Sequence, residues 1–298
     1  MSDVALKSIK KDKEESYSYM KDVMERFSHH KAALISMFIL GLIILLCAVL
    51  PLVMDLDPYS TDSLAVYAAP SAEHILGTDE IGRDLFARLV YGGRTSLVVG
   101  VISMLISVFI GVPLGILAGY YRGWIEAMVL RLADVFMSFP SIVLSMVMVS
   151  IMGPSLTSVT IVIGITGWPQ FARIIYSKVI ITREMEYVQS AKATGIKDGR
   201  IMTQYILPNA LSPVLINMTF RTAQAILMEA SLSFLGLGVK PPTASWGNIL
   251  QYAQNISSLM MRPWMWMPAG ILMLVTVVTV NFIGDGIRDA LDPKLKIQ

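Results

Sequence analysis

Long runs without a charged residue constrain the fold of this chain more than any other feature. Residues 32–54, 95–121 and 263–284 contain no Asp, Glu, Lys or Arg. Each run exceeds the roughly 20 residues that an α-helix needs to cross the hydrocarbon core of a bilayer. With 54% hydrophobic and only 15% charged residues, the composition is typical of a multi-pass membrane protein and excludes an ordinary soluble domain.

Two further segments complete the predicted set of spans. Residues 135–172 are also free of charge but are too long for one span, and Gly153-Pro154 in their middle is typical of a turn. We therefore predict two helices there, and another span from about Pro208 to Ser233. The expected fold is an all-α polytopic membrane protein with six transmembrane helices.

The distribution of basic residues predicts the orientation. Eighteen of the 24 Lys and Arg residues lie in segments on the same side as the N-terminus, five lie on the other side, and Arg221 lies within a span. Because cytoplasmic loops are enriched in Lys and Arg, both termini are expected in the cytoplasm, with the chain in the cytoplasmic (inner) membrane. A net charge of +2 gives no indication of a nucleic-acid partner.

This topology divides the chain into four parts. Residues 1–31 form a cytoplasmic tail, 32–54 the first transmembrane helix, 55–94 an extracytoplasmic segment and 95–298 the core domain. Apolar residues in the tail recur at i, i+3, i+4 and i+7, which predicts an amphipathic helix on the membrane surface: they are Met20, Val23, Met24 and Phe27.

A helix is also predicted within residues 55–94. Thr78-Asp79-Glu80 suits a helix N-terminus, and Gly92-Gly93 is expected to end the helix. Two interpretations stay open: an interfacial helix that only orients the second span, or part of an outer face that receives a soluble binding protein.

Residues 186–209 form a polar segment between apolar runs. We predict a short helix from about Glu184 to Thr194, a break at Gly195 in a left-handed conformation, and a second helix starting near Asp198 as N-cap and running into Leu207-Pro208. A polar hairpin in this position needs a partner on which to dock.

The spacing of Ala191, Gly195 and Leu207-Pro208 resembles the cytoplasmic "EAA" loop of ABC-importer permeases, the element that sits in a cleft of the ATP-hydrolysing subunit. Gln189 and Ser190 depart from that pattern, which has Glu and Ala there. Three more segments resemble the C-type permease subunits of dipeptide, oligopeptide and nickel ABC importers: LGTDEIGRDLFARLVYGGRTSL, MEASLSFLGLGVKPPTASWGNIL and NFIGDGIRDALDPKL.

The resemblance implies the type I ABC importer permease fold and one half of a heterodimeric channel. Implied partners are a second homologous permease subunit, two ATP-binding subunits that hold ATP and Mg, and an extracytoplasmic substrate-binding protein. The coupling helices would lie at about residues 184–205, and the residues implied in ATPase coupling are Glu186, Tyr187, Gln189, Ala191, Thr194, Gly195, Leu207 and Pro208.

The expected cargo is di- or oligopeptides, and a nickel or metal-chelate importer of the same architecture is the alternative. A stand-alone channel or secondary transporter is disfavoured, because such proteins show inverted repeats and midplane charges that are not evident here.

The resemblance also implies that the fifth span faces the pore. The candidate pore or gate residues are Asn217, Thr219, Arg221, Thr222, Gln224 and Glu229. Such polar residues also serve as hydrogen-bonding contacts between helices. Arg221 and Glu229 lie just over two turns apart, so a pair within the chain or between subunits is possible. Whether Glu229 belongs to a structural network or contacts substrate stays open.

Two smaller patterns give further expectations. Gly111, Gly115 and Gly119 recur every four residues, which favours close helix packing or a subunit seam. Asp134 is expected to pair with Arg131 three residues earlier.

The sequence contains no G-x-x-x-x-G-K-[ST], H-E-x-x-H or G-x-S-x-G motif. We therefore predict no catalytic residue, no metal site and no cofactor in this chain, with the energy supplied by the ATP-binding partners.

Overall fold

The computed structural model describes residues 23–291, and its elements are helices. Residues 23–29 form a short helix without a label, and it is followed by the labelled helices. These are α1 (Lys31–Val53), α2 (Leu85–Tyr121), α3 (Gly123–Ser138), α4 (Ser141–Met152), α5 (Leu156–Arg183), α6 (Glu186–Ala193), α7 (Asp198–Ile201), α8 (Leu207–Phe234), α9 (Trp246–Leu250), α10 (Ile256–Met261) and α11 (Met267–Leu291).

The spans follow the predicted order. Helices α1, α2, α5 and α11 are long and apolar enough to cross a membrane, and α3 with α4, which meet at a 92° bend, can form a fifth span. Helix α8 has 28 residues but carries Arg221 and Glu229, which lower its hydropathy. The all-α polytopic fold is confirmed, and a count of six, with α8 included, is compatible with it.

The short helix at residues 23–29 lies against the far end of the chain. A Cβ at Gly286 would lie 3.2 Å from the Phe27 ring, and His30 Nε2 lies 3.4 Å from the Asp289 carboxylate. Met20, which opens the predicted amphipathic pattern, lies outside the described residues. The location of this helix on a membrane surface stays a prediction.

The predicted helix from Thr78 to Gly92-Gly93 is wrong. Helix α2 begins at Leu85, with Asp84 as its N-cap, and runs through both glycines for 37 residues. The glycines are needed for close contact: a Cβ at Gly92 would lie 3.0 Å from the Ser245 backbone, and one at Gly93 would lie 2.9 Å from the Trp246 ring.

Helices α2 and α5 pack closely along their length. A Cβ at Gly111 or Gly115 would lie 2.5 Å from a carbonyl oxygen of α5, that of Trp168 or Ala172. At Gly119 it would lie 2.8 Å from Val179 Cβ. This glycine face is therefore buried inside the chain, which supports helix packing and not a subunit seam.

An arginine attaches α1 to this core. Pro51 has no N–H, so the carbonyl oxygen of Cys47 has no donor within α1. Arg94 of α2 supplies one, since its Nε donates to Cys47 O at 2.7 Å and its Nη2 to Ala48 O at 2.6 Å. The exposed Pro-containing turn of α1 is thereby fixed to α2.

We call residues 54–84 and 235–266 the loop end of the bundle, and residues 184–206 the hairpin end. At the loop end, the buried Asp79 carboxylate binds Arg83 Nε at 2.7 Å and accepts a hydrogen bond from the Tyr252 hydroxyl at 2.8 Å. Burial and the nearby carboxylate raise the pKa of Tyr252, so its hydroxyl keeps the proton that it donates. The two loop-end segments are thus joined.

Candidate functional site

The hairpin consists of α6 and α7 with Gly195 between them. Gly195 has φ +79°, which confirms the predicted left-handed conformation. Its N–H donates to Lys192 O at 3.1 Å, and the N–H of Ile196 donates to Ala191 O at 3.2 Å, so these bonds close the end of α6. The first helix is shorter than predicted, because Glu184 still caps α5.

The second helix is held by the end of α2. Asp198 is its first residue and not its N-cap, the position that Lys197 takes. The Asp198 carboxylate accepts a hydrogen bond from the Tyr120 hydroxyl at 2.6 Å, and Arg183 Nη1 donates to the Tyr120 carbonyl at 2.8 Å. Tyr120 therefore contacts both α7 of the hairpin and the end of α5 that leads into the hairpin, a role that sequence spacing did not indicate.

The second helix runs into Leu207-Pro208, as predicted, but it does so through a change of helix type. A π-helical turn at Met202–Ile206 connects α7 to α8, and the N–H of Leu207 donates to Met202 O. Pro208 follows in the first turn of α8, where a residue without an N–H is tolerated. The chain is consequently helical from Asp198 to Phe234, so α7 and α8 are joined without a loop.

The hairpin has one buried and one exposed face. Val188, Ala191, Ile201 and Ile206 are buried and pack on an apolar cluster of α2 and α5: Val112, Ile116, Phe171, Ile175 and Val179. Of the predicted coupling residues, Ala191 belongs to this buried face and Leu207 is half-buried. The exposed ones are Glu186, Tyr187, Gln189, Thr194, Gly195 and Pro208.

Gln189, which departs from the family pattern, has a defined local contact. Its Nε2 donates to the carbonyl oxygen of Arg183 at 3.0 Å and so satisfies a carbonyl at the end of α5. An amide can donate this bond and a glutamate cannot.

Three of the predicted pore residues bond to their own helix. Asn217 Nδ2 donates to Pro213 O at 2.8 Å, Thr219 Oγ1 to Ile216 O at 2.7 Å and Thr222 Oγ1 to Met218 O at 2.8 Å. All three are half-buried, and Gln224 is exposed. Within this chain, then, these three hydrogen bonds do not connect α8 to its neighbours.

Arg221 and Glu229 do connect helices, but not through each other. Arg221, 8% exposed, donates from Nη2 to Ile163 O of α5 at 2.6 Å. Glu229 is fully buried and accepts hydrogen bonds from Ser96 of α2 at 2.8 Å and from Ser233 at 2.7 Å. Both side chains are buried within the bundle, whereas Gln224 is exposed.

The ion-pair partner of Asp134 differs from the predicted one. Asp134 pairs with Arg173 of α5 and not with Arg131, because α3 packs along α5. Among residues 23–291, no three His, Cys, Asp or Glu side chains are placed to hold a metal ion. What the described site offers is an exposed polar surface on a buttressed hairpin, joined directly to two long helices.

Comparison with known proteins decides the family. Residues 111–297 match the family described as "Binding-protein-dependent transport system inner membrane component". The chain belongs to this permease family. Residues 18–70 match a second model, the "N-terminal TM domain of oligopeptide transport permease C". The resemblance drawn from the four sequence segments is thereby confirmed.

Relatives of this permease cover nearly its whole length. The dipeptide transport system permease protein DppC of Alkalihalophilus pseudofirmus is 39% identical over 96% of this chain and 93% of its own. The glutathione transport system permease protein GsiD of Pectobacterium atrosepticum is 37% identical over 90% of this chain and 88% of its own. A putative peptide permease of Brucella suis is 38% identical over 91% of this chain and 90% of its own.

The fold of the permease also has a solved counterpart. An inward-facing MetNI methionine ABC transporter structure matches with a TM-score of 0.55 and 20% identity, covering 69% of this chain and 97% of that one. This likeness shows the permease fold of an ABC importer. The chain is thus a multi-pass inner-membrane component of a transport system.

Proposed function

We propose that this chain is the permease subunit of an ABC importer that carries di- or oligopeptides across the cytoplasmic membrane. The observation that carries the proposal is the hairpin: it presents exposed polar residues on one face and is buttressed by α2 and α5 on the other. The names of the relatives, which are dipeptide, peptide and glutathione permeases, support the cargo class.

In this proposal the hairpin transmits motion from ATP-binding subunits to the pore. Two such partners bind ATP and Mg, and their closure displaces the hairpin through contacts with Glu186, Tyr187 and Thr194. Because α5 ends at Arg183, three residues before α6, and α7 continues into α8, a displaced hairpin moves both helices. A nucleotide-driven change needs contacts that differ between the two states, and the exposed hairpin face is where they form.

The same proposal orients the molecule. The hairpin end and both termini lie in the cytoplasm, and the loop end faces a substrate-binding protein. A second, homologous permease subunit completes the channel. Leu215, Gln224 and Leu227 of α8 are exposed within this chain, and we assign these positions to the pathway or to the companion subunit.

Reconstitution tests this function. The chain is placed in proteoliposomes with its companion permease, the two ATP-binding subunits and the binding protein, and uptake of a labelled tripeptide is compared with that of nickel. We expect tripeptide uptake that needs ATP and stops when either the ATP-binding subunits or the binding protein are omitted. Uptake of nickel alone would reject the peptide assignment, and uptake by this chain alone would reject the ABC-importer assignment.

A further inference from the structure

Glu229 stands at the centre of two hydrogen-bond relays. Ser96 Oγ donates to one carboxylate oxygen at 2.8 Å and Ser233 Oγ to the other at 2.7 Å. Each serine in turn accepts a backbone N–H: that of Trp246 reaches Ser96 Oγ at 3.2 Å, and that of Val239 reaches Ser233 Oγ at 3.1 Å. All five residues are buried.

The direction of these bonds depends on the carboxylate. A serine hydroxyl has one hydrogen and can accept with its oxygen. With that hydrogen donated to Glu229, the oxygen of each serine is oriented to accept the backbone N–H. One carboxylate therefore orients two acceptors on two helices, Ser96 on α2 and Ser233 on α8.

Both backbone groups belong to the connection after α8, residues 235–248. This connection folds closely onto the bundle: a Cβ at Gly247 would lie 2.6 Å from Ala230 Cα. Its own bonds, such as Asn248 Nδ2 to Thr243 O at 2.8 Å, close it internally but do not attach it to α2. The attachment to α2 and α8 runs through the two serines together with two direct bonds: Trp246 Nε1 donates to Leu89 O of α2 at 3.0 Å, and the N–H of Leu237 donates to Leu232 O of α8 at 2.9 Å. On the loop-end side, Arg88 Nη1 donates to Pro242 O at 3.4 Å.

We propose that Glu229 is a positioning residue that fixes residues 235–248 against α2 and α8 at the loop end. The carboxylate does this without touching cargo, since it is fully buried. Resting on the proposed function, this role places the connection where a loaded binding protein is received. Replacement of Glu229 then leaves both serines without the carboxylate that orients them. The hydrogen bonds from the N–H groups of Val239 and Trp246 are weakened together, although these residues are seven positions apart.

Hydrogen exchange of the purified chain tests the role directly. Glu229→Leu is expected to speed exchange at the amides of both Val239 and Trp246 by about tenfold or more, because buried donors lose oriented acceptors. Ser96→Ala should affect Trp246 alone, and it also serves if Glu229→Leu cannot be recovered. The matched control is Arg221→Gln, which removes the other buried charge of α8 and should leave both amides protected.

Unchanged exchange at Val239 or Trp246 in Glu229→Leu would overturn the positioning role, as would equal loss of protection in Arg221→Gln.

In the assembled transporter, Glu229→Gln should raise the KM for the loaded binding protein about tenfold with a smaller change in kcat, because one relay is lost. An unchanged KM would refute the functional part. Absence of peptide uptake by the unmodified complex would reject the proposed function and leave the exchange result standing.

Discussion

At the scale of single residues, the two charges of α8 show what a sequence can and cannot predict. Intramembrane charges need partners, and both Arg221 and Glu229 have them. Their spacing suggested that they pair with each other. Eight residues, however, correspond to about 12 Å along a helix, and each side chain binds a closer group on a neighbouring helix. Those groups, Ile163 O and Ser96 Oγ, come from distant parts of the chain and have no local signature.

Gly195 gives the clearest prediction at this scale. A Cβ there would meet nothing within 4 Å, so the cost of a side chain comes only from φ +79°. We expect Gly195→Val to strain the hairpin by about 1 to 3 kcal/mol and misdirect α7. The variant should still insert at normal levels, yet retain its ATP-binding partners poorly and lose uptake, as measured by co-purification and cell uptake.

The matched control for that variant is Gly199→Val. Gly199 lies in the same hairpin with equally open space around a Cβ, but its φ is helical. Gly199→Val should therefore retain normal uptake, as should Ser190→Ala. Full uptake by Gly195→Val, or equal losses in both glycine variants, would contradict the claim that backbone strain at position 195 disrupts coupling.

At the scale of elements, glycine ends a helix at one position and lies within a helix at others. Gly195 ends a helix, as the pattern predicts. Gly92 and Gly93 instead lie inside α2, where Ser245 and Trp246 pack too closely to leave room for a side chain. Spans, the turn at Gly153 and the hairpin follow from local patterns of charge and glycine. The start of α2 depends on neighbours distant in sequence, and the π turn at Met202–Ile206 between α7 and α8 has no signature in those patterns.

The close packing of α2 on α5 makes a prediction of its own. Gly115→Val would place a Cβ 2.5 Å from Ala172 O, a backbone atom that cannot move without shifting α5. We expect a loss of about 1 to 3 kcal/mol in stability, seen as a lower unfolding temperature in detergent. Gly41→Val of α1 meets nothing within 4 Å and should leave that temperature unchanged. Equal temperatures for both variants would contradict the packing.

At the scale of the whole molecule, the fold separates two tasks at opposite ends. The loop end is cross-linked by buried polar side chains such as Asp79, and the hairpin end presents exposed polar ones such as Tyr187. Basic residues predicted which end faces the cytoplasm, and this orientation stays a prediction. The long helices α2, α5 and α8 connect the two ends.

The orientation can be measured by labelling from outside. With Cys47→Ala as background, single cysteines at the exposed positions Ser63 and Ser257 of the loop end should react with an impermeant thiol reagent on intact cells. A cysteine at Ser190 of the hairpin should react only after the cells are opened. Reaction at Ser190 in intact cells would reverse the proposed topology.

The most direct test of the account asks what the exposed face of the hairpin touches. A photo-cross-linking amino acid is placed at Tyr187, which is 44% exposed, and in a second variant at Val188, which is 2% exposed and packs on α2 and α5. In the assembled transporter, position 187 should cross-link to an ATP-binding subunit and position 188 only within this chain. No cross-link from position 187 to an ATP-binding subunit, in a complex that still imports peptide, would contradict the claim that this hairpin couples ATP hydrolysis to transport.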